Sequence, residues 1–371
     1  MSLKEVLRTC GVSRRDFLQY CTAISATLAL PQTFAPQIAE ALENEDKRPS
    51  VIWMEFQSCS GDSEAILRSG RPKIGDLILD VISLDYNEVV MAASGHLAEE
   101  AKNQAMEKNA GKYLLVIEGA VPTEDSGVYC CVAGDTALNH LKKAAANAAA
   151  VIAVGNCASF GGIPAGHPNP TGAKGVKDLF SGKPVVNLPG CPCNADNITA
   201  LVVHYLVFGD LPAVDRHLRP KFAFGKRIHD NCERRGHFDA GQYVDAWGDD
   251  AHKRGWCLYK MGCKGPETFH NCPTIRYNDG LSWPVMAGHG CVGCAEPGFM
   301  DTMAPFYKRL PDIPGFGVES QATKIGIKLV GAVTAVFFVH GIVNMIRNKG
   351  MVKRVEAKHL DNSEKKGEGG K

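Results

Sequence analysis

Cysteines carry most of the chemistry that this sequence can offer, and they lie in groups. Of the 14 cysteines in the 371-residue chain, three stand far apart in glycine-bearing loops, at Cys59, Cys157 and Cys191. Further ligand candidates crowd into the later part of the chain: His229, Cys232, Cys257, Cys263, Cys272, Cys291 and Cys294. Thiolates grouped in this way bind soft metals, and several groups in one chain indicate a row of iron–sulfur clusters. Such a row conducts electrons.

Two sets can be separated within the later part of the chain. His229, Cys232, Cys257 and Cys263 offer one imidazole and three thiolates. This combination suits a 4Fe–4S cluster with one histidine ligand, and it also suits a zinc ion bound by three cysteines and one histidine. The spacing alone leaves both interpretations open.

Cys272, Cys291 and Cys294 form the second set. Three thiolates favour a 3Fe–4S cluster, which lacks one iron corner, whereas zinc would need a fourth ligand, for which His289 is available. Disulfides are a further alternative in an exported protein. Glycines flank nearly every cysteine, however, and glycine lets the backbone approach a cluster and donate N–H bonds to its sulfurs.

Residues 50–220 predict the scaffold that holds the first three cysteines. Strands are predicted at Val51–Phe56, Tyr113–Ile117, Val151–Val154 and Val185–Leu188, and helices at Gly134–Ala149 and Asn197–Phe208. Alternating strands and helices imply an α/β domain with a doubly wound parallel sheet. Sites in such sheets form in loops beyond the carboxyl ends of the strands. Cys59, Cys157 and Cys191 each follow a predicted strand, so we expect them to converge.

Strand patterns fade between residues 221 and 315, where glycine and proline interrupt the sequence. A segment of this kind cannot build a large apolar core. We therefore predict a second, smaller and irregular domain over 221–315, organised by its metal clusters as small metal-binding domains are.

Residues 1–41 predict an export signal. The motif SRRDFL at 13–18 precedes a mildly apolar stretch over 20–34, and the sequence Ala-Glu-Ala at 39–41 offers a cleavage site between small residues. This order is typical of a twin-arginine signal peptide. Twin-arginine export carries folded proteins, which suits a protein that acquires a metal cofactor before it crosses the membrane.

Residues 325–346 form an apolar run long enough to span a bilayer, and a buried core helix is the alternative interpretation. Lys328 lies near its outer end and can extend to the membrane surface. Basic residues follow the run, and such residues favour the cytoplasmic side. We therefore expect the body outside the membrane and a polar, disordered tail over 347–371 inside. His340, within the run, is a candidate for contact with a haem-bearing partner or for helix packing.

Several motifs are specific enough to indicate a family. They are SRRDFL near the start, GNCASFGG around Cys157, PGCP around Cys191, RIHDNC ending at Cys232, HFDAG from His237, GWCLYKMGCKGP around Cys257 and Cys263, and GHGCVGCAEP around Cys291 and Cys294. The chain resembles, over nearly its whole length, the small subunit of membrane-bound, uptake-type nickel–iron hydrogenases. Members of that family hold three clusters in line. The first lies in a flavodoxin-like domain beside a large subunit, which holds the nickel–iron centre.

The resemblance implies a ligand set for each cluster. A proximal cluster is implied for Cys59, Cys157 and Cys191. A medial 3Fe–4S cluster is implied for Cys272, Cys291 and Cys294. A distal 4Fe–4S cluster is implied for His229, Cys232, Cys257 and Cys263.

The proximal set departs from the family at its first motif. The family reads Cys-x-Gly-Cys, whereas this chain reads Cys59-Ser-Gly-Asp62, so a carboxylate replaces the second thiolate. We expect Asp62 to be the fourth ligand of a 4Fe–4S cluster and, as a harder ligand, to alter its potential. The alternatives for the fourth ligand are Cys193 and one of Cys130 and Cys131, which are otherwise unassigned.

The predicted function is therefore electron transfer. Hydrogen would be split on the large subunit, and electrons would pass from the proximal to the medial to the distal cluster, then to a membrane cytochrome b and to quinone. A net charge of +1 gives no indication of nucleic-acid binding. Two alternatives stay open: an iron–sulfur subunit of another membrane quinone oxidoreductase, and a zinc-binding structural module.

Overall fold

The computed structural model describes residues 14–43, 48–70, 81–179, 182–301 and 319–367. The chain divides into two compact units, Met1–Leu310 and Pro311–Lys371.

A five-stranded parallel sheet forms the centre of the first unit. The strands are β1 (Ser50–Glu55), β2 (Ser83–Asn87), β3 (Leu114–Glu118), β4 (Cys131–Val132), β5 (Asp135–Thr136), β6 (Ala150–Val154) and β7 (Val185–Leu188). The central sheet has the order β2-β1-β3-β6-β7 with every pair parallel, and β4 and β5 form a separate antiparallel ribbon. This is the strand order of flavodoxin-like folds, so the predicted fold class is confirmed.

The sheet forms because its central strands are apolar on both faces. Alternate side chains of a strand point to opposite faces. Val51 and Trp53 accordingly join one buried cluster, while Ile52 and Met54 join the other. All five residues of β3 and of β6 are buried. Helices therefore cover both faces, as a parallel sheet requires.

The helices of the first unit are mostly short. They are α1 (Arg14–Thr27), α2 (Ala35–Glu43), α3 (Gly61–Leu67), α4 (His96–Lys108), α5 (Ala137–Ala146), α6 (Gly155–Phe160), α7 (Ala195–Phe208), α8 (Lys221–Phe224), α9 (Arg235–Asp239), α10 (Asp250–Lys253) and α11 (Cys272–Ile275). Side chains cap two of the longer ones: Thr136 accepts from the backbone N–H of Asn139 in α5, and Asn194 accepts from that of Asp196 in α7. The capped helices α5 and α7 confirm the two predicted helices.

The segment predicted as an export signal is helical where it is described. Helices α1 and α2 pack against each other and against α7. Phe17, Ile24 and Ile38 are buried in the same cluster as Ile198 and Leu201 of α7. Apolar residues of this segment thus cover the apolar α7.

The residues from 221 to 301 are irregular. Short helices and turns alternate with isolated bridges, and no strand of the sheet comes from this part of the described chain. Its small buried cluster includes Ile228, Val244 and Trp283 together with the thiols Cys272 and Cys291. Cys272 and Cys291 are therefore part of the small core of this segment.

Two polar side chains fasten this irregular part to the sheet. Arg219, only 3% exposed, donates to the carbonyl of Ala295 (2.9 Å), to Glu296 Oε1 (2.9 Å) and to Asp215 Oδ2 (2.8 Å). Asn156, at the carboxyl end of β6, donates from Nδ2 to the carbonyls of Cys294 (2.9 Å) and Glu296 (3.0 Å). The backbone around Cys294 is thus fixed against the strand ends.

The second unit contains one long helix, α12 (Glu319–Gly367). Its part Ile327–Val355 is long and apolar enough to cross a membrane, as the sequence predicts for 325–346. His340 Nε2 lies 3.0 Å from Asn344 Nδ2 within this helix. The helix also continues through the residues expected to form a disordered tail, because lysine, arginine, glutamate and alanine favour helix.

Arg219→Met tests how the irregular part is held. The substitution leaves the carboxylates of Asp215 and Glu296 without their buried cation, which should cost about 3–5 kcal/mol of unfolding free energy. Lys253→Met is the control, since Lys253 pairs with Asp250 at the surface, their side chains 71% and 77% exposed, and such pairs are worth about 0–1 kcal/mol. Urea unfolding of the assembled protein measures both. Equal midpoints for the two variants would contradict the role of Arg219.

Candidate functional site

Cys59, Cys157 and Cys191 lie where the sequence predicts them, beyond the carboxyl ends of β1, β6 and β7. Their thiols are close enough to influence one another. Burial, with smaller contributions from Asp62 and Cys59, raises the pKa of Cys157 to about 11. Burial likewise raises the pKa of Cys191 to about 12, with smaller contributions from Cys294, Cys157, Asp62 and Cys59. The fold therefore brings these three thiols and the carboxylate of Asp62 together.

Glycines leave room beside the proximal thiols. A Cβ atom on Gly61 would lie 3.0 Å from Cys59 Sγ, and one on Gly162 would lie 2.6 Å from Cys157 Sγ. Gly162 also has a φ of +50°, a conformation that favours glycine. The sulfurs are thus kept clear of neighbouring side chains, as a bulky cluster requires.

Asp62 is a buried carboxylate with one hydrogen-bond partner among the described residues. Its Oδ1 accepts the backbone N–H of Cys193 at 2.5 Å, and its Oδ2 packs over Gly155, where a Cβ atom would lie only 2.1 Å away. Burial, followed by the nearby charge of Glu118, raises the pKa of Asp62 to about 7. A bound metal would compensate the charge of this carboxylate.

Glu118, at the end of β3, holds the loop that carries Cys59 and Asp62. It is fully buried, and its carboxylate accepts from the backbone N–H groups of Asp62 (3.0 Å) and Ser63 (2.9 Å). It also accepts from the hydroxyls of Ser58 (2.8 Å) and Ser63 (2.7 Å) and from Trp53 Nε1 (3.2 Å). Glu118 is not among the residues predicted from the sequence. A charged residue at the end of an apolar strand could have marked it as a candidate.

The alternative fourth ligands differ in position. Cys193 is fully buried, and its thiol lies 3.7 Å from the carbonyl of Asn194. Cys130 and Cys131 lie in the ribbon region, where burial raises the pKa of Cys130 to about 11 and the next contributors are Cys131 and Glu88. The neighbours of that pair are therefore not those of Cys157 and Cys191.

The three cysteines of the medial set line one cavity. Cys272, Cys291 and Cys294 share a cavity of about 540 Å³ with Cys191 of the proximal set. The thiol of Cys291 accepts from the backbone N–H of Gly293 (3.4 Å) and lies 3.6 Å from Thr268 Oγ1. His289, available as a fourth zinc ligand, instead has Nδ1 2.7 Å from the carbonyl of Gly290.

All four members of the distal set line a second, smaller cavity, so the structure brings together His229, Cys232, Cys257 and Cys263. Backbone N–H groups donate to two of their sulfurs, from Arg234 to Cys232 (3.4 Å) and from Gly265 to Cys263 (3.4 Å). Burial, with a contribution from Arg235, lowers the pKa of His229 to about 4. Its imidazole is therefore neutral near pH 7, the form that binds metals.

Two contacts join the three groups in sequence. Cys191 of the proximal set lines the cavity of the medial thiols, and Cys294 is the neighbouring group whose charge has the largest effect on the pKa of Cys191. The backbone N–H of Cys291 in the medial set donates to Cys263 Sγ in the distal set at 3.3 Å. The medial thiols therefore lie between the other two groups.

Several properties of these side chains fit iron–sulfur clusters. Within the described ranges, no three His, Cys, Asp or Glu side chains form a group that could hold a single metal ion. Every cysteine of the described ranges is also a free thiol. Backbone N–H donors to the sulfurs, free thiols and glycine-lined loops all fit iron–sulfur clusters. The fold and these sites define an iron–sulfur electron-transfer protein.

Comparison with known proteins identifies the family. Residues 224–307 match the C-terminal model of the NiFe/NiFeSe hydrogenase small subunit, and residues 59–205 match the model of the NADH ubiquinone oxidoreductase 20 Kd subunit. The quinone-reactive Ni/Fe-hydrogenase small chain of Wolinella succinogenes is 47% identical over 349 residues, covering 92% of this chain and 98% of that protein. The uptake hydrogenase small subunit of Azotobacter vinelandii is 45% identical over 349 residues, covering 93% and 97%.

A solved hydrogenase structure has a chain with a similar fold. The Ni-Fe-Se hydrogenase from Desulfomicrobium baculatum has a chain that matches 71% of this one and 100% of its own length, with 34% identity and a TM-score of 0.67. The chain belongs to the family of nickel–iron hydrogenase small subunits.

Gly155→Ala tests the pocket of Asp62. The new methyl group would displace the carboxylate, so we expect loss or alteration of one 4Fe–4S signal in electron paramagnetic resonance, with less iron bound. Gly182→Ala is the control, because Gly182 also has a positive φ (+86°, against +79° for Gly155) but nothing lies within 4 Å of its Cβ position. If both variants keep the full set of signals, the carboxylate has no part in the site.

Proposed function

We propose that this chain relays electrons from hydrogen oxidation in a large nickel–iron subunit through three iron–sulfur clusters. The observation that carries the proposal is the continuity of the three thiol groups. Cys191 lines the cavity of the medial thiols, and the backbone N–H of Cys291 donates to Cys263 Sγ at 3.3 Å. Bound clusters would accept and release single electrons. The large subunit is a partner by analogy with the relatives, which are named as small chains or small subunits.

The cluster types follow from the donor sets. The proximal ligands are proposed to be Cys59, Asp62, Cys157 and Cys191, holding a 4Fe–4S cluster. The medial ligands are proposed to be Cys272, Cys291 and Cys294, holding a 3Fe–4S cluster. The distal ligands are proposed to be His229, Cys232, Cys257 and Cys263, holding a 4Fe–4S cluster.

The chain's own residues bind, shield and orient in this scheme. Backbone N–H groups stabilise negative charge on the ligand sulfurs. Burial keeps water away from Cys257, Cys272 and Cys291. Glu118 orders the proximal loop through the N–H groups of Asp62 and Ser63. Phe238 packs edge-on against His229, with 4.5 Å between ring centroids, and so fixes the imidazole.

Asp62 is proposed as a ligand because its surroundings suit one. It supplies the carboxylate of the first motif, it is buried, and its charge acts on both Cys157 and Cys191. Only Oδ1 has a hydrogen-bond partner among the described residues. Oδ2 would remain for iron.

The ends of the chain are proposed to place the protein at the membrane. Residues 1–41 would direct export, and α12 would anchor the body on the periplasmic side with its basic end in the cytoplasm. A membrane cytochrome b would then receive the electrons and pass them to quinone. The quinone-reactive relative supports this acceptor by analogy.

Metal analysis of the complex purified through this chain from membranes tests the proposed function. We expect about eleven irons per chain, the sum of two four-iron clusters and one three-iron cluster, together with a nickel-bearing partner. An oxidised 3Fe–4S signal should appear in electron paramagnetic resonance. Zinc with little iron, and no nickel partner, would overturn the proposal.

Asp62→Cys tests the unusual ligand. A thiolate can replace the carboxylate at one iron, so the iron content should stay the same while the potential of one 4Fe–4S signal changes. Cys193→Ser is the matched variant for the alternative ligand and should leave all potentials in place. An unchanged set of potentials in Asp62→Cys would remove Asp62 from the site.

Deleting residues 325–371 tests the anchor. The assembled complex should then appear in the soluble periplasmic fraction, since the apolar helix is proposed as its hold on the bilayer. Fractionation with antibody detection measures this. Continued membrane association of the shortened complex would show that another part of the complex holds it.

A further inference from the structure

The indole N–H of Trp283 is a buried donor without an acceptor. Trp283 is 3% exposed, and its Nε1 has no hydrogen-bond partner within the described part of the chain. A buried tryptophan N–H usually finds a partner, because an unpaired buried donor costs about 1–3 kcal/mol. An orphan of this kind requires an explanation, such as a bound group that supplies the acceptor.

The position of Trp283 indicates which group that is. Trp283 lines the same cavity of about 540 Å³ as Cys272, Cys291 and Cys294, and it shares a buried apolar cluster with the first two. Buried side chains of the described residues with an orphaned polar atom are Tyr20, Arg48, Asn156, Asn187, Thr199, His270 and Trp283. Of these, only Trp283 lines the cavity of the medial thiols.

Two of the medial thiols already have polar neighbours of their own. Gly293 N–H donates to Cys291 Sγ at 3.4 Å. The thiol of Cys272 lies 3.0 Å from His270 Nδ1. The acceptors that a 3Fe–4S cluster would add to this cavity are its inorganic sulfides.

We propose that Trp283 donates its indole N–H to an inorganic sulfide of the medial cluster and thereby raises the reduction potential of that cluster. The proposal rests on the proposed function, since it requires the medial cluster. Reduction adds negative charge to the sulfides, so a donor stabilises the reduced state more than the oxidised state. The burial of Trp283, Cys272 and Cys291 strengthens this effect. Trp283 is thus a tuning residue for the middle step of the relay.

Isotope labelling tests the contact in the unmodified complex. The protein is produced with tryptophan carrying ¹⁵N in the indole ring, exchanged into D₂O, and examined by pulsed electron–nuclear double resonance on the oxidised 3Fe–4S signal. We expect a coupling from one indole ¹⁵N together with deuteron couplings, to which backbone N–H donors such as that of Gly293 also contribute. Deuteron couplings without any indole ¹⁵N coupling would leave only backbone or water donors and would overturn the proposal.

Trp283→Phe tests the consequence. This change removes the N–H and keeps an aromatic ring, so the midpoint of the medial cluster should fall while the iron content and the two 4Fe–4S midpoints stay the same. Trp256→Phe is the matched control beside Cys257 of the distal set and should leave the medial midpoint unchanged. An unaltered medial midpoint in Trp283→Phe would equally overturn the proposal.

The two proposals fail in different ways. If the unmodified complex has no 3Fe–4S signal and little iron, the proposed function fails. If that signal is present and carries no tryptophan coupling, only the role of Trp283 fails. Should Trp283→Phe not assemble, the isotope measurement on the unmodified complex still decides.

Discussion

The attachment of the backbone around Cys294 to the ends of β6 and β7 is the constraint on which the rest of the site depends. Asn156 and Arg219 hold the carbonyls of residues 294–296, and this places the medial thiols against the Cys191 loop. A relay works only if its redox groups are held at short, fixed separations, and positioning of this kind is the protein's part in cofactor chemistry. The parallel sheet supplies rigid strand ends for the proximal cysteines. The irregular segment contributes no strand to that sheet among the described residues, so the hydrogen bonds of Asn156 and Arg219 hold it in place.

Burial acts on the ligands in a way that couples folding to metal loading. The pKa values of the thiols of Cys157, Cys191, Cys232 and Cys257 are all raised, chiefly by burial, so each would stay protonated without a compensating charge. Bound iron would supply that positive charge, and the backbone N–H groups that donate to the sulfurs would also stabilise the thiolates. The small buried cluster around Ile228 and Trp283 includes two of the ligand thiols, so the bound group is part of the core. Metal binding and ordering of this segment are therefore expected to occur together.

Much of the sheet could be predicted because β1, β3 and β6 are continuous buried apolar runs, and these predicted strands agree with the structure to within one residue at each end. The edge strand β2 was not predicted, since only two of its five residues are buried. The helix predicted from Gly134 begins at Ala137, because Thr136 caps it and the preceding residues form the β4–β5 ribbon. The cysteine groups were predictable from spacing and from the family's motifs. Glu118, Asn156 and Trp283 were not, because their roles depend on partners far away in the sequence.

The most direct test of the account is iron-edge anomalous diffraction from crystals of the assembled complex. We predict three separate iron sites in a line, the first beside Cys59, Cys157 and Cys191, the middle one inside the cavity lined by Cys272, Cys291 and Cys294, and the third beside His229 and Cys263. Anomalous density at fewer than three positions, or a middle site lying off the path between the other two, would contradict the claim that this chain is a three-step electron relay.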